Sequence, residues 1–193
     1  VSGISYGIID NCHVTNSTLS SNDSFYTGGI SGYTNGRIIN CSVKNTTLEA
    51  SLGSLGIITG YLHEGNIMNS YSCHNTVNKK STHNGGICGY GLNGTLTNCY
   101  VYSNNNVKGH IIGTGKHAVI TYCYCDQLPF IYSNEEGCSY GKNYQYTTNF
   151  TATSNNTPIY QLLNQWIESQ DTTSDTYTPW KEHSSLPAVF ITQ

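Results

Sequence analysis

Charged residues are scarce in this sequence. Eight Lys and Arg and eleven Asp and Glu make up 10% of the 193 residues, against roughly 25% in a typical globular domain. Because there is no basic excess to neutralise phosphates, the composition argues against a nucleic-acid-binding protein. Disorder combines low hydrophobicity with high net charge, and the formal net charge of −3 argues against that class as well. The surface must therefore be built mainly from Asn, Ser, Thr, Tyr and Gly.

Long apolar runs are also missing. The longest, such as residues 128–132, are far too short to cross a bilayer, so the sequence predicts no membrane-spanning segment. The chain opens at Val1 with neither Met nor the apolar core of a signal peptide. We expect it to be part of a longer protein.

The eight cysteines include no Cys-x-x-Cys pair, which leaves a zinc ribbon or a thioredoxin-like site without support. Cys123 and Cys125 share one face if they lie on a strand, where they are suited to a metal or to a redox link with Cys138. Cysteine is also among the most frequently buried residue types. Buried, unreactive thiols are therefore the preferred interpretation.

What the sequence does contain is a repeat of 29 residues. Four registers keep this step. The glycines are Gly7, Gly36, Gly65 and Gly94, and the aliphatic residues are Ile9, Ile38, Ile67 and Leu96. The asparagines are Asn11, Asn40, Asn69 and Asn98, and the small residues that follow them are Cys12, Cys41, Ser70 and Cys99. Agreement of four registers at one period indicates a repeat architecture.

The repeat unit alternates apolar and polar residues, as in 38–43 and 96–101, and its strands are separated by Gly- and Asn-containing turns. We assign the positive φ of these turns to the glycines. The sequence predicts an all-β fold, a right-handed parallel β-helix (solenoid) of four to five coils of about 29 residues. A β-propeller is the alternative, but its blades need about 40–45 residues.

Stacked coils place equivalent residues in ladders along the axis. The repeated aliphatic residues predict one internal ladder, and Cys12, Cys41, Ser70 and Cys99 predict another. Ser31, Thr59 and Cys88 predict a third. The four asparagines are expected to stack amide on amide, each satisfying a backbone group at a corner.

Two segments carry the repeat most fully: residues 28–43 read GGISGYTNGRIINCSV, and residues 85–101 read GGICGYGLNGTLTNCYV. This pattern, covering about residues 1–125, resembles the GLUG-motif repeat of bacterial surface and secreted proteins. The resemblance implies an extracellular location at a bacterial cell surface. Some of these repeats are attached to immunoglobulin-A-cleaving metallopeptidases, whose His-Glu-x-x-His motif is absent here: His63-Glu64 has no second histidine at 67.

Beyond about residue 140 the repeat stops, which divides the chain into solenoid repeats (1–140) and a C-terminal cap (141–193). Thr157 and Pro158 predict a helix start, with Thr157 as N-cap, and an apolar stripe follows over about 158–169. A final strand is expected at about 186–191. Because an open solenoid end exposes unpaired strands, we expect the helix to close that end, anchored by Trp166 with Leu162 and Leu163.

The sequence offers no catalytic, metal or cofactor site. The 29-residue step links no two acidic residues, and Glu135-Glu136 is typical of a solvated loop. His13 and His74 each follow a cysteine, but the two pairs fall out of register, so surface histidines are the preferred interpretation. A carbohydrate-active enzyme is therefore the least favoured of three functions.

Tyrosines recur at two repeat positions: Tyr33, Tyr61 and Tyr90 at one, Tyr71 and Tyr100 at the other. Outward-facing tyrosine rows suit contacts with sugar rings or with a protein surface at low entropic cost. The rows are equally suited to covering the outer surface of a β-sheet without binding any ligand. We expect a non-catalytic adhesion or binding module for a glycan or a host cell-surface protein. A purely structural spacer or stalk that carries another domain is the alternative.

Overall fold

The computed structural model describes residues 2–79, 83–140, 145–146, 157–170, 176–186 and 188–191. The first full coil carries β1 (Ser2–Ser5), β2 (Ile8–Asp10), β3 (His13–Thr15), β4 (Thr18–Ser21) and β5 (Tyr26–Gly28). The second carries β6 (Ser31–Thr34), β7 (Arg37–Ile39), β8 (Ser42–Lys44), β9 (Thr47–Ala50) and β10 (Ser54–Gly56). The third carries β11 (Thr59–His63), β12 (Asn66–Met68), β13 (Tyr71–Cys73), β14 (Thr76–Lys79) and β15 (His83–Gly85).

Three shorter turns follow the full coils, each with three strands among the residues that the structure describes. They contain β16 (Cys88–Leu92), β17 (Thr95–Thr97) and β18 (Tyr100–Tyr102), then β19 (Ile112–Lys116), β20 (Val119–Thr121) and β21 (Tyr124–Cys125). The last turn contains β22 (Ile131–Glu136), β23 (Ser139–Tyr140) and β24 (Gln145–Tyr146). The solenoid therefore continues past the boundary predicted at residue 140.

Every solenoid strand pairs in parallel with its equivalents in the adjacent coils, which confirms the predicted parallel β-solenoid. Within the described ranges, three of the solenoid sheets are six strands deep and two more are three strands deep. Ile38 pairs with Ile9 and with Ile67, and Ile67 pairs with Leu96. Ladder partners such as Asn40 and Asn69 are 29 residues apart, whereas Thr97 and Thr121 are only 24 apart. The four to five coils expected are thus three full coils and three shortened turns.

The predicted internal ladders form the core of the solenoid. Ile38, Ile67 and Leu96 are fully buried, and so are Cys41 and Ser70. The third ladder of Ser31, Thr59 and Cys88 is also fully buried. Small side chains therefore fill the narrow cross-section, and this is how a chain with few large aliphatic residues forms a continuous core.

The corners bend at asparagine rather than at glycine. Asn11, Asn40, Asn69 and Asn98 have φ between 48° and 54°, the left-handed region that Asn tolerates better than most residues. The assignment of positive φ to Gly36, Gly65 and Gly94 is wrong. In two of these three corners the left-handed residue is the one before the glycine, Glu64 (φ 56°) and Asn93 (φ 52°).

Close approach of adjacent coils explains the glycines instead. A Cβ on Gly65 would lie 2.5 Å from the Gly36 carbonyl oxygen, and one on Gly36 would overlap the Gly7 carbonyl. A Cβ on Gly94 would lie 2.5 Å from Leu62 Cδ2. Coils about 4.8 Å apart leave no room for a side chain at this corner.

The C-terminal segment lies along the side of the solenoid, so the prediction that it closes the open end is wrong. Helix α1 (Ile159–Glu168) is followed by β25 (Trp180–Lys181), which pairs in antiparallel fashion with β26 (Val189–Phe190). Ile159 and Leu163 of α1 pack with Trp180 against solenoid tyrosines. The segment also accepts hydrogen bonds from side chains of three successive coils, whereas an end cap would contact only the final turn, β22 to β24.

The helix begins one residue later than the prediction of Thr157 as N-cap implies. Pro158 is the N-cap residue, with an extended ψ of 144°, and its carbonyl accepts the backbone N–H groups of Gln161 and Leu162. No side chain in the described part of the chain caps this helix. Leu163 is fully buried and Leu162 half-buried, while Trp166 is buried against Tyr177, at a ring distance of 4.8 Å. The anchoring role predicted for Trp166 belongs to Trp180.

Candidate functional site

One face of the solenoid carries a column of stacked tyrosines, which we call the tyrosine column: Tyr33, Tyr61 and Tyr90. All three are half-buried, and they occupy paired positions on β6, β11 and β16. The ring centroids of Tyr33 and Tyr61 are 5.5 Å apart, and those of Tyr61 and Tyr90 are 5.2 Å apart, with interplanar angles of 7° and 1°. Because the rings cover one another's faces, the column presents its edges and hydroxyl groups to the outside.

Two further tyrosines flank the tyrosine column and lie at an angle to it. Tyr26 is 41% exposed, and its ring is 4.8 Å from that of Tyr61 with an interplanar angle of 47°. Tyr6 is 73% exposed, and its ring is 6.1 Å from that of Tyr33. The aromatic surface available to a ligand therefore comes largely from Tyr6 and Tyr26, which the repeat analysis missed because neither falls on a repeated tyrosine position.

Polar side chains border the tyrosine column. The Tyr33 hydroxyl lies 2.9 Å from His63 Nδ1, which also lies 3.0 Å from Asn35 Nδ2. The Tyr90 hydroxyl donates to Glu135 Oε2 at 2.5 Å. Burial and this carboxylate raise the pKa of Tyr90, so its hydroxyl stays protonated and remains a donor at neutral pH. The face thus combines aromatic surface with hydrogen-bonding groups and little charge.

The second predicted row, Tyr71 and Tyr100, is not a ligand-contact surface. Tyr71 is 7% exposed and Tyr100 is fully buried, because the C-terminal segment covers both. Their rings stack at 4.9 Å, and each also lies within 6 Å of the Trp180 ring. The Tyr100 hydroxyl donates to the Ala188 carbonyl. This row is therefore an internal interface that holds the C-terminal segment.

The asparagine row forms a hydrogen-bonded ladder, which we call the amide ladder: Asn40, Asn69 and Asn98. Asn98 Nδ2 donates to Asn69 Oδ1 and Asn69 Nδ2 donates to Asn40 Oδ1, both at 2.8 Å. Asn40 Nδ2 donates to Asp10 Oδ1, also at 2.8 Å. Asn11 does not join the ladder. It is exposed, and its Oδ1 lies 3.0 Å from His13 Nε2.

The amide ladder binds the backbone of the C-terminal segment rather than backbone groups at the corners. Asn40 donates to the Thr176 carbonyl and accepts from the Thr178 N–H, each at 2.9 Å. Asn69 donates to the Thr178 carbonyl at 2.9 Å and accepts from Trp180 Nε1 at 2.6 Å. These bonds recur at every second residue of an extended segment, as they would beside a strand. The side-chain amides thus take the place of the backbone N–H and C=O groups that a neighbouring strand would offer.

The cysteines are free thiols, most of them buried. Burial raises the pKa of Cys41, Cys73, Cys88 and Cys125 to about 12. Cys123 and Cys125 donate to carbonyl oxygens two residues away in sequence, at 3.2 and 2.8 Å. Because the thiolate is the reactive form, the raised pKa makes the thiols of Cys41, Cys73, Cys88 and Cys125 unreactive in the folded chain.

We expect a thiol reagent such as DTNB, at mildly alkaline pH, to titrate only Cys12 and Cys138 in the folded protein. These two are half-buried, whereas the other six thiols are buried. All eight should react after denaturation in guanidinium. Mass-spectrometric mapping of the modified sites checks this expectation, and rapid labelling of Cys88 in the folded state would contradict it.

Acidic and histidine side chains are dispersed over the described part of the chain. Glu136 lies 3.2 Å from Lys116 and 3.6 Å from His117, on an exposed surface. Asp126 accepts the Ser103 N–H at 2.7 Å, and burial raises its pKa. Within the residues that the structure describes, no group of three or more His, Cys, Asp or Glu is placed to hold a metal ion. No described helix is long and apolar enough to cross a membrane.

Comparison with protein-family models, with curated proteins and with solved structures found no match to this chain.

Proposed function

We propose that this protein is a non-catalytic binding module that recognises a glycan through the tyrosine column and the two flanking tyrosines. The observation that carries the proposal is the difference between the two tyrosine rows. The C-terminal segment buries Tyr71 and Tyr100, but it leaves Tyr33, Tyr61 and Tyr90 half-exposed beside the more exposed Tyr6 and Tyr26.

The chemistry of this face suits a sugar chain. The faces of Tyr6 and Tyr26 offer apolar surface for the C–H face of a sugar ring, and tyrosine is ordered at low entropic cost. His63, Asn35 and the tyrosine hydroxyls supply donors and acceptors for sugar hydroxyls. Glu135 is the only charged partner among these contacts, so a strongly charged ligand is less suited to the face.

The repeat geometry suits an extended ligand. The column rings follow one another at 5.5 and 5.2 Å along the axis, so equivalent hydroxyls recur at nearly constant spacing. A polymer with regularly spaced hydroxyls could contact several coils at once. We place this activity in an exported module at a bacterial cell surface, as the resemblance to GLUG repeats implies.

A glycan array followed by titration calorimetry tests the proposal. We expect binding to at least one glycan, weakened about tenfold or more by Tyr26→Ala, as for an aromatic contact worth about 1.5 kcal/mol. Tyr160→Ala, on helix α1, is the matched control and should bind like the unmodified protein. Circular dichroism melts establish that both variants fold.

The same experiment separates the alternatives. Absence of binding to every glycan would exclude the proposal and favour the structural spacer. Binding that Tyr26→Ala leaves unchanged would place the site on another face of the solenoid. Capture of a cell-surface protein without any glycan contact would replace the glycan with a protein ligand.

A further inference from the structure

The first coil ends the described solenoid with an unpaired edge. Among the strands that the structure describes, β1 to β4 each pair only with a strand of the second coil. Their core-facing residues Ile9, Val14 and Leu19 are only partly buried, while the equivalents in the second coil are fully buried. The cross-section of the core is thus accessible on this side, which we call the N-terminal face.

The N-terminal face has large exposed apolar side chains and few protective charges. Ile4 and Ile8 of the first coil are both more than half exposed, and Phe25, at the same end, is 73% exposed. The only charged residue in β1 to β4 is Asp10. Edge strands that face water usually carry Lys, Pro or a bulge. Strands β1 to β4 contain neither Lys nor Pro, which is typical of an edge that receives a partner.

Glycines supply an independent observation. In one row, a Cβ on Gly60 would lie 2.8 Å from the Gly32 carbonyl oxygen, and one on Gly32 would lie 2.7 Å from the Gly3 carbonyl oxygen. In the second row, at the corner, the Gly36 carbonyl leaves no room for a Cβ on Gly65 in the same way. Each of these glycines is thus required by the carbonyl of the coil before it.

Gly3 and Gly7 begin these two rows, and a Cβ on either would have no atom of the described residues within 4 Å. Nothing in the first coil therefore requires glycine at these positions, although glycine in a strand or corner costs stability. The requirement appears only if carbonyl groups of a further coil lie against Gly3 and Gly7, as the carbonyls of the preceding coil do at Gly32, Gly36, Gly60, Gly65 and Gly89.

We propose that the N-terminal face binds a further parallel β-coil of the same repeat, stacked in register on β1 to β4. The partner is a coil that runs in the same direction, because a same-direction coil places its carbonyls against the glycine rows. The opposite end of a second copy fits this face poorly. Its last turns have three described strands and shortened steps, whereas the first coil has five described strands.

The proposal is tested with an extended chain, in which a duplicate of residues 31–58 is joined directly ahead of Ser2. We expect this coil to raise the midpoint of thermal unfolding and to lower the binding of the dye ANS. Gly7→Val should leave the midpoint of the original chain unchanged. In the extended chain it should lower the midpoint by about 5 °C or more, through overpacking against the added coil.

Gly36→Val in the original chain is the positive control, since Gly36 already lies against the Gly7 carbonyl. It should lower the midpoint without any added coil. Equal tolerance of Gly7→Val in both chains, or rapid proteolysis of the duplicated coil, would show that the face does not receive such a partner. Self-association of the original chain that Gly7→Val abolishes would identify the occupant as a second copy and overturn the proposal.

Discussion

Replacing Asn69 by Ala is expected to lower the free energy of unfolding by about 4–6 kcal/mol. The Asn69 amide is fully buried and makes four hydrogen bonds, with Asn40, Asn98, Thr178 and Trp180. Each buried partner left unsatisfied costs roughly 1–3 kcal/mol. A left-handed backbone at a residue other than Asn or Gly adds roughly 1 kcal/mol, and Asn69 has a φ of 48°.

Asn69→Gly is the control that separates the backbone from the amide. Glycine adopts positive φ without strain, so this variant should recover about 1 kcal/mol relative to Asn69→Ala and still lack the hydrogen bonds. Urea denaturation monitored by circular dichroism gives both values. A loss below about 1 kcal/mol for Asn69→Ala would show that the amide ladder contributes little to stability.

Trp180→Ala is the second change with a large expected effect, about 4–5 kcal/mol, near the top of the range for buried Trp and Phe. Trp180 is almost fully buried, and its ring lies 4.3 Å from Phe190, 5.5 Å from Tyr100 and 5.7 Å from Tyr71. It also donates to Asn69. Its removal opens a cavity and withdraws a hydrogen bond that joins the segment to the solenoid.

Two further variants make the Trp180 measurement specific. Trp180→Phe keeps most of the packing and removes only the N–H donor, so we expect a loss of about 1–2 kcal/mol. Trp166→Ala should cost less than Trp180→Ala, because Trp166 packs edge-to-face against Tyr177 within the C-terminal segment rather than against the solenoid tyrosines. Limited proteolysis should then release the C-terminal segment most readily in Trp180→Ala. A greater loss of unfolding free energy for Trp166→Ala than for Trp180→Ala would show that Trp166 anchors the segment.

The sequence was sufficient to predict the inside of the solenoid. Positions 9, 38, 67 and 96 keep one side-chain type at one step, and only stacking of equivalent coils satisfies all of the registers together. It was insufficient for the corners, because two residue types there tolerate positive φ and both repeat. Asn93 takes the left-handed conformation, and Gly94 avoids a clash with Leu62. Spacing alone does not separate these two roles.

The C-terminal segment limited the prediction of the site more severely. The two tyrosine rows look equivalent in the repeat, yet Tyr100 is buried and Tyr90 is not. The difference arises from a segment outside the repeat, and its position depends on contacts between residues as far apart as Asn40 and Thr178. A signal was present in the repeated asparagines, since a row of side-chain amides offers donors and acceptors for an extended backbone.

The amide ladder also has a direction. Every amide donates toward the first coil, from Asn98 to Asn69, then to Asn40, and finally to the Asp10 carboxylate. At the other end Asn98 Oδ1 is buried without a hydrogen-bond partner among the described residues. Aligned amide dipoles add up, as they do along a helix, and such chains polarise one another. The ladder is therefore a small electric dipole built from side chains, and its positive pole is neutralised by the Asp10 carboxylate.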